Sequence, residues 1–199
     1  MVPQYFDNVD TLPHDLHTYE FDLLDEHFSL LSDSGVFCKG GLDDGSRLLL
    51  ETIAKTDLGN SILDMGCGVG PIGLLLAHFD KNRHVTLVDV NRRALSCAKE
   101  NAKRLNVEDQ VEIKESDVYS NVTSSFSSIV TNPPIRAGKK VTYAMYAGAI
   151  SHLNEGGQLI LVIRKQQGAA SCLEYLQTIY KSVEVRKSKK GYRILIAKK

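Results

Sequence analysis

The sequence lacks several features that would mark a specialised class of protein. It has no net charge, because 24 Lys and Arg residues balance 24 Asp and Glu residues, and this balance excludes a globally basic nucleic-acid binder. No apolar run approaches the ~18 residues that a membrane-spanning helix requires. The first ten residues contain neither a basic stretch nor an apolar segment, so we expect no signal peptide and a cytoplasmic protein.

Cysteine is scarce and shows no pattern. The four cysteines, Cys38, Cys67, Cys97 and Cys172, are widely spaced and form no CxxC pair, and the six His residues form no HxxxH pair. Structural zinc sites need such close ligand spacing, so no metal site is expected. We predict that the cysteines are small buried apolar residues in a reducing compartment.

What the chain does contain fits one globular domain with an uneven charge distribution. Its 199 residues are 43% hydrophobic and 24% charged, enough to bury roughly 70% of the unfolded surface without a disulfide or metal. Residues 1–60 carry 12 acids against three bases, whereas residues 181–199 carry eight bases against one acid. The asymmetry predicts either a contact surface for a polyanion or a solvated basic edge strand. The C-terminal bases in question are Lys187, Lys189, Lys190 and Arg193.

Helical and strand patterns alternate from residue 46 onward. Strands are predicted at 61–65, 85–90, 111–116, 127–131, 158–164, 183–188 and 192–198, and helices at 46–54, 71–79, 92–105, 140–153 and 169–180. This alternation indicates an α/β fold with a mostly parallel seven-stranded sheet and helices on both faces. The last two strands must pair antiparallel, because the KKG connection is too short for a crossover helix. Residues 1–45 are predicted to form an N-terminal extension with short strands, and residues 46–199 the main domain.

A glycine-rich loop follows the first strand of this main domain. It reads Asp64-Met65-Gly66-Cys67-Gly68-Val69-Gly70-Pro71, and its glycines allow a tight turn and a close approach of the backbone to a ligand. A formal GxGxxG at Gly68, Gly70 and Gly73 suggests NAD. We reject that interpretation because the motif begins three residues past the strand and ends inside the helix. The acid at the strand end would also repel a pyrophosphate and favour a cation.

Two more acids follow the neighbouring strands. Asp89 ends the second strand, where a carboxylate commonly accepts hydrogen bonds from ribose hydroxyls, and Ser116-Asp117 ends the third, where an adenine amino group is the expected partner. Three acids beside a glycine loop suit a cationic adenosine ligand without phosphates, a description that S-adenosylmethionine fits. The alternative is that these Asp residues only cap helices. The predicted cofactor-binding residues are Asp64, Met65, Gly66, Cys67, Gly68, Gly70, Asp89, Val90, Ser116, Asp117, Val118 and Asn132.

The fourth strand ends in the segment Asn132-Pro133-Pro134-Ile135. A plain turn is one interpretation, since prolines end strands. The other is catalytic, because an aromatic or amide NH₂ group is a poor nucleophile whose lone pair is delocalised. The side-chain carbonyl of Asn132 and the main-chain carbonyl of Pro133 can accept its two hydrogens and so direct its lone pair at an electrophilic methyl group. Preorganised acceptors of this kind contribute several kcal/mol without a strong base.

The glycine loop, Asp89, Asp117 and the Asn-Pro-Pro segment together resemble a Rossmann-like class I S-adenosylmethionine-dependent amino methyltransferase. The resemblance narrows to the small-domain ribosomal RNA methyltransferase family, whose bacterial members include the RsmC-type guanine-N2 methyltransferase of 16S rRNA. The stretches that carry it are GVFCKGGLDDGSRLLL (35–50), NPPIRAGK (132–139), RKQQGA (164–169) and KKGYRIL (189–195), and it spans about residues 17–197. It implies S-adenosyl-L-methionine as cofactor, and ribosomal RNA or the small ribosomal subunit as partner.

Two departures from the family pattern bear on the substrate. The longer RsmC-type enzymes carry a second, degenerate methyltransferase-like copy, for which this chain is too short, so docking must come from this domain, a homodimer or the ribosomal particle. Related enzymes often place Tyr or Phe after the two prolines to stack on the base, an interaction worth about 1–3 kcal/mol. Ile135 offers no such π face.

The expected target is therefore guanine N2 of small-subunit rRNA, with adenine N6 or a protein glutamine amide left open. An NAD(P) oxidoreductase and a non-catalytic assembly factor are the alternatives from other classes. Basic residues that follow the Asn-Pro-Pro segment and the neighbouring strand are predicted to hold RNA phosphates. The alternative is that they are ordinary solvated charges. These residues are Arg136, Lys139, Lys140, Arg164 and Lys165. The glycine-rich segment from Lys39 to Ser46 forms either a lid over the cofactor or a plain turn. The chain is expected to be a monomer or a homodimer.

Overall fold

The computed structural model describes residues 13–36 and 40–199, and a twisted seven-stranded sheet forms its centre. The strands are β1 (His17–Leu23), β2 (Glu26–Ser32), β3 (Ser61–Met65), β4 (His84–Asp89), β5 (Val111–Glu115), β6 (Phe126–Thr131), β7 (Leu153–Arg164), β8 (Ser182–Lys189) and β9 (Tyr192–Lys198). The α-helices are α1 (Asp44–Ile53), α2 (Pro71–Phe79), α3 (Arg92–Arg104), α4 (Lys139–His152) and α5 (Ala169–Ile179).

The central sheet has the strand order β5-β4-β3-β6-β7-β9-β8. Its first five strands are parallel, and β9 pairs antiparallel with both β7 and β8. The two-residue turn from β8 to β9 has positive φ angles at Lys190 and Gly191, the geometry that matches the twist of a tight hairpin. The chain order reverses at β3, and open α/β sheets bind their ligands at such a switch point. The predicted fold class is confirmed.

Helices cover both faces of the sheet, because successive apolar residues along a strand belong to two different cores. In β7, Ile160 and Val162 belong to the core cluster that contains α1, α2 and α3, whereas Leu159, Leu161 and Ile163 belong to the cluster under α4 and α5. Successive side chains of a strand point to opposite faces. The central strands are consequently apolar on both sides, which is typical of a buried parallel sheet.

The structure differs from the predicted elements at the boundary between α4 and β7. The helix predicted to end at residue 153 ends at His152, and the strand predicted to begin at residue 158 begins at Leu153. Leu153 already pairs with Phe126, and the ladder is irregular between Phe126 and Ser128. The Asn-Glu-Gly-Gly sequence at 154–157 has the composition of a turn, so only the neighbouring strand reveals that it continues a sheet.

The N-terminal strands β1 and β2 form a separate antiparallel hairpin, so the short strands predicted there are present. Their buried aromatic and aliphatic residues join the same core cluster as α1, α2 and α3. A division of the chain at residues 45–46 stays a prediction. Cys67, Cys97 and Cys172 are buried and free, whereas Cys38 lies outside the described residues.

Neither a candidate membrane span nor a metal-ligand group occurs within residues 13–36 and 40–199. No helix there is long and apolar enough to cross a bilayer. No group of three or more His, Cys, Asp or Glu residues there is arranged to hold a metal ion.

Asn101 of α3 links the N-terminal hairpin to the glycine-rich loop. Its side chain is fully buried, accepts a hydrogen bond from the backbone N–H of Leu31 at 2.6 Å, and donates to the carbonyl oxygens of Leu31 at 3.0 Å and Val69 at 2.9 Å. A buried amide with this many partners holds two segments of backbone in one arrangement.

Replacing Asn101 by alanine is expected to lower the free energy of unfolding by about 3 kcal/mol, because two backbone groups of the partly buried Leu31 and one of the buried Val69 lose their partner. Urea denaturation followed by circular dichroism measures the change. Lys99→Ala, at an exposed position of the same helix, is the control and should cost less than about 0.5 kcal/mol. Equal losses in the two variants would contradict the role assigned to Asn101.

Candidate functional site

The glycine-rich loop runs from the end of β3 into α2 and exposes its backbone at Gly68. Gly66, Gly68 and Gly70 all have positive φ, and Gly68 has open space where a Cβ atom would stand. A Cβ atom at Gly70 would lie 2.7 Å from Leu74 Cδ1, so this position requires glycine for both conformation and close packing. The loop therefore presents bare backbone to the edge of the sheet where β3 ends.

Asp89, the last residue of β4, binds this loop directly. Its Oδ2 accepts a hydrogen bond from the backbone N–H of Gly68 at 2.8 Å, and its Oδ1 accepts one from Asn91 N–H at 2.9 Å. Burial raises the pKa of this carboxyl group above its ordinary value, and the backbone hydrogen bonds oppose the increase. The predicted proximity of Asp89 to the glycine loop is thus present in the structure.

The environment of Asp64 has features of both roles that the sequence left open, helix capping and the binding of a cationic ligand. Its Oδ2 accepts a hydrogen bond from Gly73 N–H in the first turn of α2 at 2.7 Å, so one oxygen does cap a helix. The other oxygen, Oδ1, is buried without a hydrogen-bond partner among the described residues. Burial, assisted by the charge of Asp89, raises the pKa of Asp64 to about 7. A buried acceptor without a donor is a costly arrangement that a cationic ligand would relieve.

The third predicted acid differs from the other two in exposure. Asp117 is exposed, while Ser116 is buried and donates from its hydroxyl to Val118 O at 2.8 Å. Val118 has φ of 50°, an uncommon conformation for a β-branched residue. The carboxyl ends of β4 and β5 are joined here, because Ser116 N–H donates to Asp89 O at 3.0 Å. These residues consequently lie at the same edge of the sheet as the glycine loop.

The remaining predicted cofactor residues lie beneath or beside the loop. Met65 and Cys67 are buried, and Val90 is partly exposed after β4. Burial raises the pKa of the Cys67 thiol well above its ordinary value. A neutral, buried thiol is a packing residue and not a nucleophile.

The Asn-Pro-Pro segment leaves the sheet next to the glycine loop. β3 and β6 are paired with Asp64 opposite Val130, and the Thr131 hydroxyl donates to Met65 O at 2.8 Å. Asn132 and Gly66 therefore follow neighbouring strands at the same edge. The Asn-Pro-Pro segment and the glycine loop, which methyl transfer would require close together, therefore lie on the same side of the molecule.

The segment itself turns sharply at Pro134, whose φ of −74° and ψ of 78° define an inverse γ-turn. In this turn, Pro133 O accepts a hydrogen bond from Ile135 N–H at 2.9 Å. A carbonyl oxygen has two lone pairs, so one lone pair of Pro133 O is available for a second donor. The partly buried Ile135 packs against the apolar cluster of α4 and α5.

Two residues of the site were not predicted from the sequence. The side-chain NH₂ group of Asn132 donates to Asp43 Oδ1 at 3.1 Å and to Ser46 Oγ at 3.0 Å. Asp43 is the N-cap of α1, and Ser46 lies in its first turn. Both belong to the segment interpreted as either a lid or a plain turn, of which Lys39 lies outside the described residues and the part from Asp44 onward is the start of α1. An Asp before an apolar run is a signal for a helix start, but nothing local in it indicates a contact with Asn132.

The predicted RNA-contacting cations are exposed around this edge. Arg136, Lys139 and Lys140 follow the Asn-Pro-Pro segment, and the Arg164 guanidinium lies 5.0 Å from the ring centroid of Tyr192. Lys165 follows β7 and is exposed as well. All of them lie near the carboxyl ends of β6 and β7.

Two of the four C-terminal bases, Lys189 and Lys190, face α1 instead. Lys189 forms an ion pair with Glu51 at 3.6 Å, and Lys190 forms one with Asp44 at 3.9 Å. These acids partly neutralise the hairpin turn between β8 and β9. Lys187 is exposed on β8, and Arg193 is partly exposed on β9.

Comparison with known proteins identifies the family. The family described as methyltransferase small domain matches residues 27–196. The chain belongs to the methyltransferase small domain family. A relative of similar length, the uncharacterized protein YbxB of Bacillus subtilis, is 44% identical over 201 residues, and the alignment covers all of both chains.

Relatives of named activity are about twice as long as this methyltransferase small domain protein. Ribosomal RNA small subunit methyltransferase C of Aeromonas hydrophila is 35% identical over 187 residues, which cover 90% of this chain and 52% of the relative. Among solved structures, the 16S rRNA N2 G1207 methyltransferase RsmC of T. thermophilus, in complex with AdoMet and guanosine, has a TM-score of 0.83 at 25% identity. The alignment covers 94% of this chain and 52% of that one. The chain thus spans about half the length of these relatives.

Proposed function

We propose that this protein is a cytoplasmic S-adenosylmethionine-dependent N-methyltransferase that methylates guanine N2 of small-subunit rRNA. The observation that carries the proposal is the adjacency of the Asn132-Pro133-Pro134 segment and the glycine loop on neighbouring strands. The similarity to a structure described as a 16S rRNA N2 methyltransferase in complex with AdoMet and guanosine supports the choice of cofactor and target.

The residues at the glycine loop fit the proposed cofactor. Gly68 leaves space for a ligand above the backbone, and Asp89 holds a carboxylate beside it where ribose hydroxyls can donate. The buried Oδ1 of Asp64, which has no hydrogen-bond partner in the described part of the chain, suits a ligand that carries positive charge. When bound, S-adenosylmethionine supplies an electrophilic methyl group on a sulfonium. Asp117 and Val118 would border its adenine.

The chain's own contribution to the chemistry is to orient the target amino group. The lone pair of an aromatic NH₂ is delocalised, so the nitrogen must pyramidalise before it can attack. Asn132 Oδ1 and the second lone pair of Pro133 O would accept its two hydrogens and hold the lone pair toward the methyl carbon. This positioning needs no strong general base. Once the nitrogen is alkylated, its N–H becomes acidic and water can take the proton.

Methyl incorporation tests the proposal. The protein is incubated with radiolabelled S-adenosylmethionine and, separately, naked 16S rRNA, 30S particles, tRNA and a protein release factor, and modified nucleosides are identified by mass spectrometry. We expect N2-methylguanosine in 16S rRNA or in 30S particles. N6-methyladenosine or a methylated glutamine would replace the proposed target by one of its alternatives, and no transfer to any acceptor would favour a non-catalytic assembly factor.

RNA is expected to contact the exposed cations that follow the reactive segment. Replacing Arg136, Lys139 and Lys140 together by alanine should weaken RNA binding and reduce the slope of log K against log salt by about 0.7–0.9 for each phosphate that the variant no longer neutralises. Fluorescence anisotropy with labelled rRNA at several salt concentrations measures both effects.

The matched control replaces Lys99, Lys103 and Arg104 of α3 by alanine. It removes the same number of positive charges from a helix away from the reactive segment. An equal loss of RNA affinity in both triple variants would assign the effect to net charge and not to a localised RNA surface.

A further inference from the structure

The amide of Asn132 is anchored at the start of α1, by two residues that lie 86 and 89 positions earlier in the chain. Its two N–H groups have two acceptors, Asp43 Oδ1 at 3.1 Å and Ser46 Oγ at 3.0 Å. We infer that Asp43 and Ser46 are positioning residues for methyl transfer: they fix the side chain of Asn132 so that its carbonyl oxygen faces the target amino group. The inference rests on the proposed function of Asn132.

The chemistry of the anchor determines which end of the amide faces the substrate. An ionised carboxylate has lone pairs but no proton to donate, so Asp43 Oδ1 binds the NH₂ end of Asn132 and repels the carbonyl end. A rotation of the amide by 180° would place its NH₂ group against the NH₂ group of the substrate. Two donors would then face each other, and the carbonyl oxygen of Asn132 would face Asp43 instead of the substrate.

Helix capping alone does not account for these interactions. Asp43 Oδ1 already accepts hydrogen bonds from the backbone N–H groups of Gly45 at 3.0 Å and Ser46 at 3.1 Å, which complete the N-cap of α1. The same oxygen also accepts from Asn132, and Ser46, which is only 3% exposed, supplies the second acceptor. The cap therefore holds the carboxylate still, and the carboxylate holds the amide.

Kinetics of three variants test the inference. In Asp43→Ala/Ser46→Ala, kcat should fall about 10- to 100-fold through loss of orientation, while the KM for RNA and the Kd for S-adenosylhomocysteine stay within about threefold. Asp43→Asn keeps an Oδ1 acceptor at this position and should retain most of the wild-type kcat. Arg47→Ala, in the same helix but without contact to Asn132, is the control and should behave as wild type.

Coupling to Asn132 separates positioning from a structural effect. In the Asn132→Ala background, removing Asp43 and Ser46 should cause no further loss of kcat, because the group that they orient is gone. A further loss as large as that in wild type would overturn the inference. A wild-type kcat in Asp43→Ala/Ser46→Ala, together with an inactive Asn132→Ala, would also overturn the inference. The proposed function would stand in that case. Wild-type turnover in Asn132→Ala would instead refute the proposed role of Asn132.

A second measurement requires no turnover. The side-chain NH₂ signals of Asn132 are identified in an amide nitrogen–proton NMR spectrum by their loss in Asn132→Ala. We expect slow exchange with water in wild type and rapid exchange in Asp43→Ala/Ser46→Ala, with the backbone signals of α1 retained. Rapid exchange already in wild type would show that the anchor is absent and would overturn the inference, whatever the acceptor substrate proves to be.

Discussion

Replacement of Asn132 by alanine is expected to lower kcat for methyl transfer by at least about 10²-fold, because removal of one preorganised partner of the reacting group has an effect of that size in other enzymes. The proposed cofactor site lies mainly on the glycine loop and Asp89, so the affinity for S-adenosylhomocysteine should stay within about threefold of wild type. Single-turnover methyl transfer gives the first quantity, and isothermal titration calorimetry gives the second.

The control for this variant is Asn82→Ala, at an exposed turn before β4 and therefore at the opposite edge of the sheet. It should leave both quantities unchanged. If Asn132→Ala transfers methyl groups at the wild-type rate, Asn132 has no part in the mechanism. If it loses affinity for the cofactor as well, its main role is in binding and not in orienting the acceptor.

Asp64→Asn is expected to reduce the pH dependence of stability between pH 5 and pH 8. Burial raises the folded-state pKa of Asp64 to about 7 from an ordinary value of 3.8, so between these pH values the folded protein binds more protons than the unfolded chain. Its stability then falls as pH rises, and the full contribution of this group is on the order of 4 kcal/mol. An asparagine has no charge to bury, so the variant should lose less stability than wild type between pH 5 and pH 8.

Urea denaturation at pH 5 and pH 8 measures this difference without any ligand. Asp109→Asn, an exposed position in the turn before β5, is the control and should keep the wild-type dependence. Calorimetry with S-adenosylmethionine, which carries the sulfonium charge, adds a test of the site, since an ionised Asp64 favours a cationic ligand. Affinity should rise with pH through about 7 in wild type and change less in Asp64→Asn. Identical pH profiles of stability in wild type and Asp64→Asn would contradict the assignment.

Features that depend on a few consecutive residues were predictable. The glycines of the loop before Pro71 indicated its turn, and the Lys-Lys-Gly sequence indicated the antiparallel hairpin of β8 and β9, because backbone sterics act locally. The acids at the strand ends indicated a site at one edge of the sheet, because parallel strands bring their carboxyl ends together. The strand continuing through Gly156 and Gly157 was not predictable, since its pairing with β6 overrides the local preference of two glycines for a turn.

The chain's local pattern was sufficient for the α/β architecture, the glycine loop and the Asn-Pro-Pro segment, because apolar periodicity and backbone restriction are properties of neighbouring residues. Folding added the interactions between distant residues. It brought Asp43 and Ser46 to Asn132, joined Asn101 to Leu31 and Val69, and buried one oxygen of Asp64 without a partner among the described residues. Such interactions depend on how helices pack on the sheet, which no short stretch of sequence encodes.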